Sequence, residues 1–215
     1  EDLLKIALAQ TNPIIGDITA NSAAITDAIS RARDQGARLV IFPELAVIGY
    51  PPKDLLLKPA VIKQCVSAVQ QIAAESEDTG ILIGYPCPSD KPAGRLLFNA
   101  AALCCGGRVA GRHVKSLLPS YDVFDETRYF EPAPEPEAHR PIEHEGTRFG
   151  ITICEDLWND SSLLPRQLYH HDPLRSLARA GSQAIINCSA SPFVSGKPAF
   201  RLELFSKAAR CHGMP

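Results

Sequence analysis

The stretch GITICEDLWND, residues 150–160, decides the interpretation of this chain. Its first four residues have the apolar, β-branched character of a buried strand, and Cys154 and two acids follow at once. Two other apolar runs also lead directly to a reactive residue, Leu39–Phe42 before Glu44 and the strand before Lys115. Ligands of α/β folds bind at the carboxyl ends of strands. We therefore expect a carboxylate, an ammonium and a thiol to share one pocket.

In the first half of the chain, short apolar runs typical of strands alternate with segments that have helical spacing of apolar residues. This alternation is typical of a largely buried sheet covered by helices. Each helix carries an apolar stripe with helical spacing, as Ile25, Ile29 and Ala32 illustrate. The predicted elements are a strand at Leu4–Ala9, a helix capped by Asn21 or Ser22 that ends at Gly36, a strand at Arg38–Phe42, a helix from about Asp54 to Glu77 and a strand at Gly80–Tyr85.

The second half begins with a hairpin signal, Gly106-Gly107, which predicts adjacent antiparallel strands and hence a mixed sheet. In the last helix, Leu202, Phe205, Ala208 and Ala209 are expected to face inward. The further predicted elements are strands at Leu97–Cys105, Arg108–Val114, Arg148–Cys154 and Gln183–Cys188, helices at Pro173–Ala180 and Phe200–His212, and a loop at residues 131–146.

Composition excludes several classes of function. The 22 Lys and Arg and 24 Asp and Glu leave a formal charge of −2 without any basic run, which argues against nucleic-acid binding. No apolar run approaches the ~20 residues that a membrane span needs. The seven cysteines include no C-x-x-C pair, so free thiols in a reducing compartment, and a soluble cytoplasmic protein, are expected. With no H-x-x-x-H pair either, no metal site is predicted.

The three reactive residues suit acyl transfer. A carboxylate can accept the proton of a thiol, the thiolate can attack an amide carbon, and an ammonium can stabilise the oxyanion that forms. Each residue alone also fits a purely structural role: Glu44 as a solvated turn residue, Lys115 as a surface residue and Cys154 as a small core residue. Cys188 is the main rival nucleophile because it also ends an apolar strand. A Ser-His-Asp hydrolase is a poor fit because the chain has no G-x-S-x-G turn.

Three segments resemble the signature segments of the nitrilase superfamily, in its order and with its Glu-Lys-Cys triad. They are FPEL at 42–45, HVKSLLPSYDVFDETRYF at 113–130 and GITICEDLW at 150–158. Within that superfamily, the middle segment is most similar to the glutaminase domains of glutamine-dependent NAD synthetases. GYPPKDLL at 49–56 and SASPF at 189–193 fit the same branch.

The resemblance implies an α/β fold of the nitrilase type, an αββα sandwich, over residues 1–215. The domain is expected to be incomplete at its C-terminus, and no motif of an ATP-using synthetase domain occurs in the chain. The catalytic residues implied are Glu44 as general base, Lys115 as the stabilising cation and Cys154 as nucleophile, with Glu126 as an auxiliary carboxylate.

The same resemblance implies L-glutamine as substrate, bound by a pocket beside the triad. The implied contacts are Tyr50, Tyr121, Phe124, Glu155, Ser191 and Lys197. No role is assigned to the insertion Ser161–Pro173, which is expected to be a loop on the outer rim.

The glutaminase reaction needs no cofactor, whereas ATP and Mg²⁺ are implied for a C-terminal synthetase domain that would use the ammonia to make NAD. A homo-oligomer is also implied by the family. Two alternatives remain: a free-standing amidase or other carbon–nitrogen hydrolase with the same triad, and a non-catalytic nitrilase-like interaction module.

Overall fold

The computed structural model describes residues 4–134, 140–160, 163–164 and 166–215. Within these ranges the chain forms two sheets and four α-helices, which confirms the predicted α/β class.

The first sheet has five strands in sequential order. Its three N-terminal strands pair in parallel, and the hairpin strands add antiparallel to them, so the predicted mixed sheet is confirmed. The strands are β1 (Ile6–Leu8), β2 (Leu39–Ile41), β3 (Gly80–Pro88), β4 (Leu97–Cys105) and β5 (Arg108–Val114).

The second sheet has three strands, β6 (Ile142–His144), β7 (Thr147–Ile153) and β8 (Ala184–Cys188). β6 pairs antiparallel with β7, and β8 pairs with β7 in parallel. β6 corrects the prediction of a loop throughout 131–146, because its three residues gain strand structure only by pairing with β7. The part of that loop at 135–139 lies outside the described residues.

The helices α1 (Ile18–Asp34) and α2 (Pro59–Ala74) do not begin where the sequence suggested. α1 begins earlier, since Asp17 caps it by accepting the Ala20 N–H at 3.0 Å. α2 begins later, because the residue before a proline disfavours helix. Lys58 is accordingly extended, and a separate 3₁₀ helix covers Lys53–Leu57.

The last two helices are α3 (Pro173–Arg179) and α4 (Lys197–His212). The predicted inner face of α4 was partly wrong: Leu202 is 70% exposed, whereas Leu204 is buried. Two residues correspond to ~200° around a helix, so the two leucines lie on opposite sides. Phe205 and the alanines at 208 and 209 are half-buried.

The two sheets pack face to face, and helices cover their outer faces. Leu39, Leu82 and Leu103 of the first sheet belong to the same buried cluster as Ile151 and Ile186 of the second. α1 and α2 cover the first sheet, and Leu177 of α3 is fully buried beside Gly150 of β7. This arrangement confirms the αββα sandwich. Among the described residues, no helix is both long enough and apolar enough to cross a membrane.

Candidate active site

Cys154 lies where the second sheet ends and the chain turns. β7 ends at Ile153, one residue earlier than predicted, and Cys154 begins a 3₁₀ helix, Cys154–Leu157. Its φ of +41° is in the left-handed region, which costs a non-glycine residue roughly 1–3 kcal/mol. Such conformations concentrate at functional sites. Cys154 as a whole residue is 5% exposed.

Glu44 follows β2 of the first sheet and is almost completely buried. Its Oε1 accepts hydrogen bonds from Lys115 Nζ and Asn99 Nδ2, both at 2.7 Å. Its Oε2 accepts one long bond, 3.3 Å, from the backbone N–H of Ala190. The carboxylate is thus anchored through one oxygen and lightly held through the other.

Lys115 follows β5 and is fully buried between two carboxylates. Its Nζ lies 2.7 Å from Glu44 Oε1 and 2.7 Å from Glu126 Oε1. Glu126 comes from a 3₁₀ helix at Glu126–Arg128 and also accepts the Tyr50 hydroxyl at 2.9 Å. The structure therefore brings Glu44, Lys115 and Glu126, three of the predicted site residues, into direct contact.

The buried charges act on one another strongly. Burial alone would lower the pKa of Lys115, but Glu44 and Glu126 outweigh it and hold that pKa well above its usual value. Burial, and then the charge of Glu44, raise the pKa of Cys154, against the opposing effect of Lys115. Burial also raises the pKa of Glu126. The balance of these effects favours the protonated form of Cys154, and a protonated thiol needs a base to become a nucleophile.

Asp156 joins the two segments that carry the cation and the thiol. Its Oδ1 accepts the N–H groups of Ser116 (3.0 Å) and Leu117 (2.8 Å), and its Oδ2 accepts that of Ile153 (2.9 Å). Burial raises the pKa of this carboxyl to about 7. The residue after Lys115 and the residue before Cys154 are therefore tied to one side chain.

A further acid, Glu155, lies beside the triad and is held by two tyrosines. Tyr121 donates its hydroxyl at 2.8 Å and Tyr169 at 3.0 Å to Glu155 Oε1. Burial raises the pKa of Glu155, and the two hydroxyl bonds oppose this effect. Phe124 packs against Tyr121, with ring centroids 5.5 Å apart.

Other predicted contact residues lie near these groups to different degrees. The Tyr50 ring is 6.4 Å from that of Phe124. Ser191 is half-buried and follows Ala190, whose N–H reaches Glu44. Lys197 begins α4, and its Nζ lies 5.2 Å from the Trp158 ring centroid. Its described contact is thus with an aromatic ring beside the cysteine turn.

The rival nucleophile, Cys188, is fully buried at the end of β8, opposite Ile153 in the parallel register. Burial raises its pKa to about 12. Cys188 therefore packs in the core behind the cysteine turn. Among the described residues, no group of three or more His, Cys, Asp or Glu is arranged to hold a metal ion.

Three further polar residues of the site were missed in the sequence: Asn99, Asp156 and Tyr169. Asn99 interrupts an otherwise apolar strand, which was the available signal. Tyr169 corrects the expectation that the insertion Ser161–Pro173 is an outer-rim loop, since its hydroxyl reaches Glu155. Ser161, Ser162 and Pro165 of that insertion lie outside the described residues.

An αββα sandwich with a buried carboxylate, ammonium and thiol at the strand ends defines a class: hydrolases that cleave carbon–nitrogen bonds with a cysteine. The family model for carbon-nitrogen hydrolases matches residues 5–212. The chain belongs to this carbon-nitrogen hydrolase family.

Relatives narrow the position within the family. The glutamine-dependent NAD(+) synthetase of Synechocystis sp. is 39% identical over 99% of this chain. That of Thermotoga maritima is 36% identical over 96%. The chain spans 38% and 33% of these two relatives' own length.

Solved structures agree on the fold. Glutamine-dependent NAD+ synthetase from Acinetobacter baumannii, solved with ADP, superposes with a TM-score of 0.85 at 34% identity. The match covers 98% of this chain and 37% of that one. An amidase from Nesterenkonia sp. has a TM-score of 0.78 at 22% identity, with 99% of this chain and 76% of that one covered, which shows the shared fold.

Proposed function

We propose that this chain is a glutaminase domain that hydrolyses the side-chain amide of L-glutamine. The observation that carries the proposal is the buried cluster in which Lys115 contacts both Glu44 and Glu126, within the electrostatic reach of the Cys154 thiol. The similarity of nearly the whole chain to glutamine-dependent NAD synthetases supports glutamine as the substrate.

In this proposal Glu44 removes the proton from Cys154 Sγ as the sulfur attacks the amide carbon. Lys115 stabilises the oxyanion of the tetrahedral intermediate, and the backbone N–H of Glu155 would be a second donor. Glu44 passes the proton to the leaving nitrogen, the C–N bond breaks, and ammonia departs from a γ-glutamyl thioester. Water, deprotonated by Glu44, then cleaves the thioester to glutamate and regenerates the thiol.

Recognition of the amino-acid end would fall to the groups around Glu155. Its carboxylate, oriented by Tyr121 and Tyr169, suits an α-ammonium group. Tyr50 and Phe124 would form apolar walls for the methylene groups, and Ser191 would donate a hydrogen bond. Lys197 would attract the α-carboxylate from the edge of the pocket.

The ammonia would serve an NAD synthetase domain that amidates deamido-NAD with ATP and Mg²⁺. In this proposal residues 1–215 form a single nitrilase-like domain whose own reaction needs no cofactor. The ATP-dependent reaction takes place in a part of the protein outside these residues. The whole enzyme would be a cytoplasmic homo-oligomer.

The test compares two cysteines of the full-length protein. Cys154→Ala should abolish release of glutamate from glutamine, whereas the matched core variant Cys188→Ala should retain most of it. An electrophilic glutamine analogue such as a diazoketone should label Cys154, and excess glutamine should slow the labelling. Glutamate release by a folded Cys154→Ala protein, or labelling confined to Cys188, would overturn the proposal.

A further inference from the structure

Asn99 of β4 lies between the two acids that flank Lys115. Its Nδ2 donates to Glu44 Oε1 at 2.7 Å and to Glu126 Oε2 at 3.3 Å. The nitrogen must face the acids, because a carboxamide oxygen there would meet only other acceptors. With 1% of its surface exposed, Asn99 is a neutral donor shared by two buried carboxylates.

The backbone of Asn99 also holds the cation in place. Its carbonyl oxygen accepts the backbone N–H of Lys115 at 2.9 Å. β4 is an inner strand, paired with β3 on one side and with β5 on the other. One residue on a rigid strand thus contacts the lysine backbone and both carboxylates that the lysine side chain meets.

The two oxygens of Glu44 are left unequal by this arrangement. Oε1 accepts two short bonds, from Asn99 and Lys115, which use the capacity of its two lone pairs. From the part of the chain that the structure describes, Oε2 accepts a single bond of 3.3 Å, from Ala190 in the segment that precedes Ser191. Oε2 is therefore the oxygen with a lone pair available for a proton.

We propose that Asn99 is a positioning residue that anchors Glu44 through Oε1, so that Oε2 exchanges the proton with Cys154 and the leaving nitrogen. The inference rests on the proposed amide hydrolysis and deepens it by assigning the two oxygens different tasks. Asn99 itself does not contact the reacting atoms. It acts through the orientation and the charge of the base.

Removing the carboxamide should change the pH dependence of the reaction in a definite direction. A hydrogen-bond donor favours the charged form of a carboxylate. Without it, the charged form of the cluster loses a stabilising partner, so reactivity that requires a charged carboxylate should appear only at higher pH. The ionisable groups whose charges act on or with Glu44 are Tyr50, Lys115, Glu126, Cys154, Glu155 and Cys188. All of them remain in an Asn99 variant, so a changed profile reports the lost donor.

The experiment uses the full-length protein with Asn99→Leu, which is similar in size, and Asn99→Ser, which is smaller and cannot bridge the acids. The matched control is Asn21→Leu, since Asn21 is also buried and donates to Ile14 O at 2.8 Å and to Val47 O at 3.1 Å, away from the site. Alkylation of Cys154 by iodoacetamide is followed from pH 5 to 9 by peptide mapping. Glutamine hydrolysis is measured over the same range.

The acid limb is the low-pH side of the curve of Cys154 alkylation rate against pH. In the Asn99 variants we expect this limb to move to higher pH by about one pH unit, which corresponds to a tenfold lower rate at a given pH on the limb. The kcat of hydrolysis should fall while KM changes little. Asn21→Leu should lower stability and leave the limb unchanged. A folded Asn99 variant with the wild-type limb overturns the proposal, as does failure of both variants to fold.

The two proposals fail in different ways. If the wild-type protein does not hydrolyse glutamine, the assigned substrate is wrong. Alkylation of Cys154 by iodoacetamide can still be measured, because it does not depend on glutamine binding. In that event a limb displaced in the Asn99 variants still supports the role of Asn99, and an undisplaced limb still overturns it.

Discussion

At the scale of single residues, the site depends on a lysine that is withdrawn completely from water. A buried ammonium is tolerated only when it is paired and hydrogen-bonded, and Lys115 meets both conditions through Glu44 and Glu126. In the same way, the buried carboxylates of Glu44 and Glu126 are paired through the lysine. The charge of each of these three side chains therefore depends on the other two.

Lys115→Met should both reduce turnover and destabilise the fold at neutral pH. Losing one oxyanion donor typically costs about 3–4 kcal/mol in the transition state. Breaking a buried ion pair by removing one partner costs roughly 3–5 kcal/mol of stability. The measurements are glutamate release and urea unfolding of the variant and the wild type.

The pH dependence of that stability has a predicted sign. Burial already raises the pKa of Glu126, and loss of the lysine raises it further, so the folded variant binds a proton that the unfolded chain releases. The deficit relative to wild type should therefore shrink from pH 7 to pH 5. A deficit that is constant over this range would show that the acids are not buried as charges.

At the scale of elements, the strand ends are joined by side chains rather than by one continuous element. Lys115 follows β5 of the first sheet, and Cys154 follows β7 of the second. Asp156 bridges them by accepting three backbone N–H groups from the two segments. The separation of thiol and cation is thus set by one buried carboxyl group.

Asp156→Ala should lower the free energy of unfolding by about 3 kcal/mol or more, because three backbone N–H groups lose their acceptor in the interior. The control is Asp172→Ala, which removes a helix cap that accepts the Arg175 N–H on the surface and should cost only about 1 kcal/mol. Urea unfolding compares the two. Equal losses would mean that the Asp156 bonds add nothing beyond an ordinary cap.

At the scale of the whole molecule, the site exists only when the two sheets are docked. Glu44, Lys115 and Asn99 belong to the first sheet and its loops, and Cys154 belongs to the second. The apolar layer between the sheets, which includes Ile151, therefore supports the relative position of Glu44, the proposed base, and Cys154, the proposed nucleophile. Each outer layer of helices, in contrast, packs against only one of the two sheets.

Ile151→Ala and Ile72→Ala test this difference, because both side chains are 2% exposed. Each should lose about 2–5 kcal/mol of stability through the cavity created. Only Ile151→Ala should also lower the turnover of the folded protein, since Ile72 lies in α2, on the outer face of the first sheet. Equal turnover in the two folded variants would contradict a catalytic role for sheet docking.

Local patterns in the sequence were sufficient for several features. The apolar runs located most strands, and Gly106-Gly107 located the hairpin. The reactive residues directly after apolar runs predicted a pocket shared by Glu44, Lys115 and Cys154, and the structure places Glu44 and Lys115 in contact. These features depend on side-chain periodicity and turn chemistry, which act between near neighbours. The family resemblance indicated the αββα sandwich.

Other features were decided only by tertiary structure. β6 exists because β7 pairs with it, and the inner face of α4 is set by what it packs against, which left Leu202 exposed. Asn99 enters the site through partners 27 and 55 residues away in sequence, and Tyr169 through a partner 14 residues away. Asp156 does so through partners 39 and 40 residues away and through Ile153, in a turn that the fold shapes. A hydrogen bond of this kind leaves no periodic mark on the sequence, because its geometry arises only when distant segments are packed together.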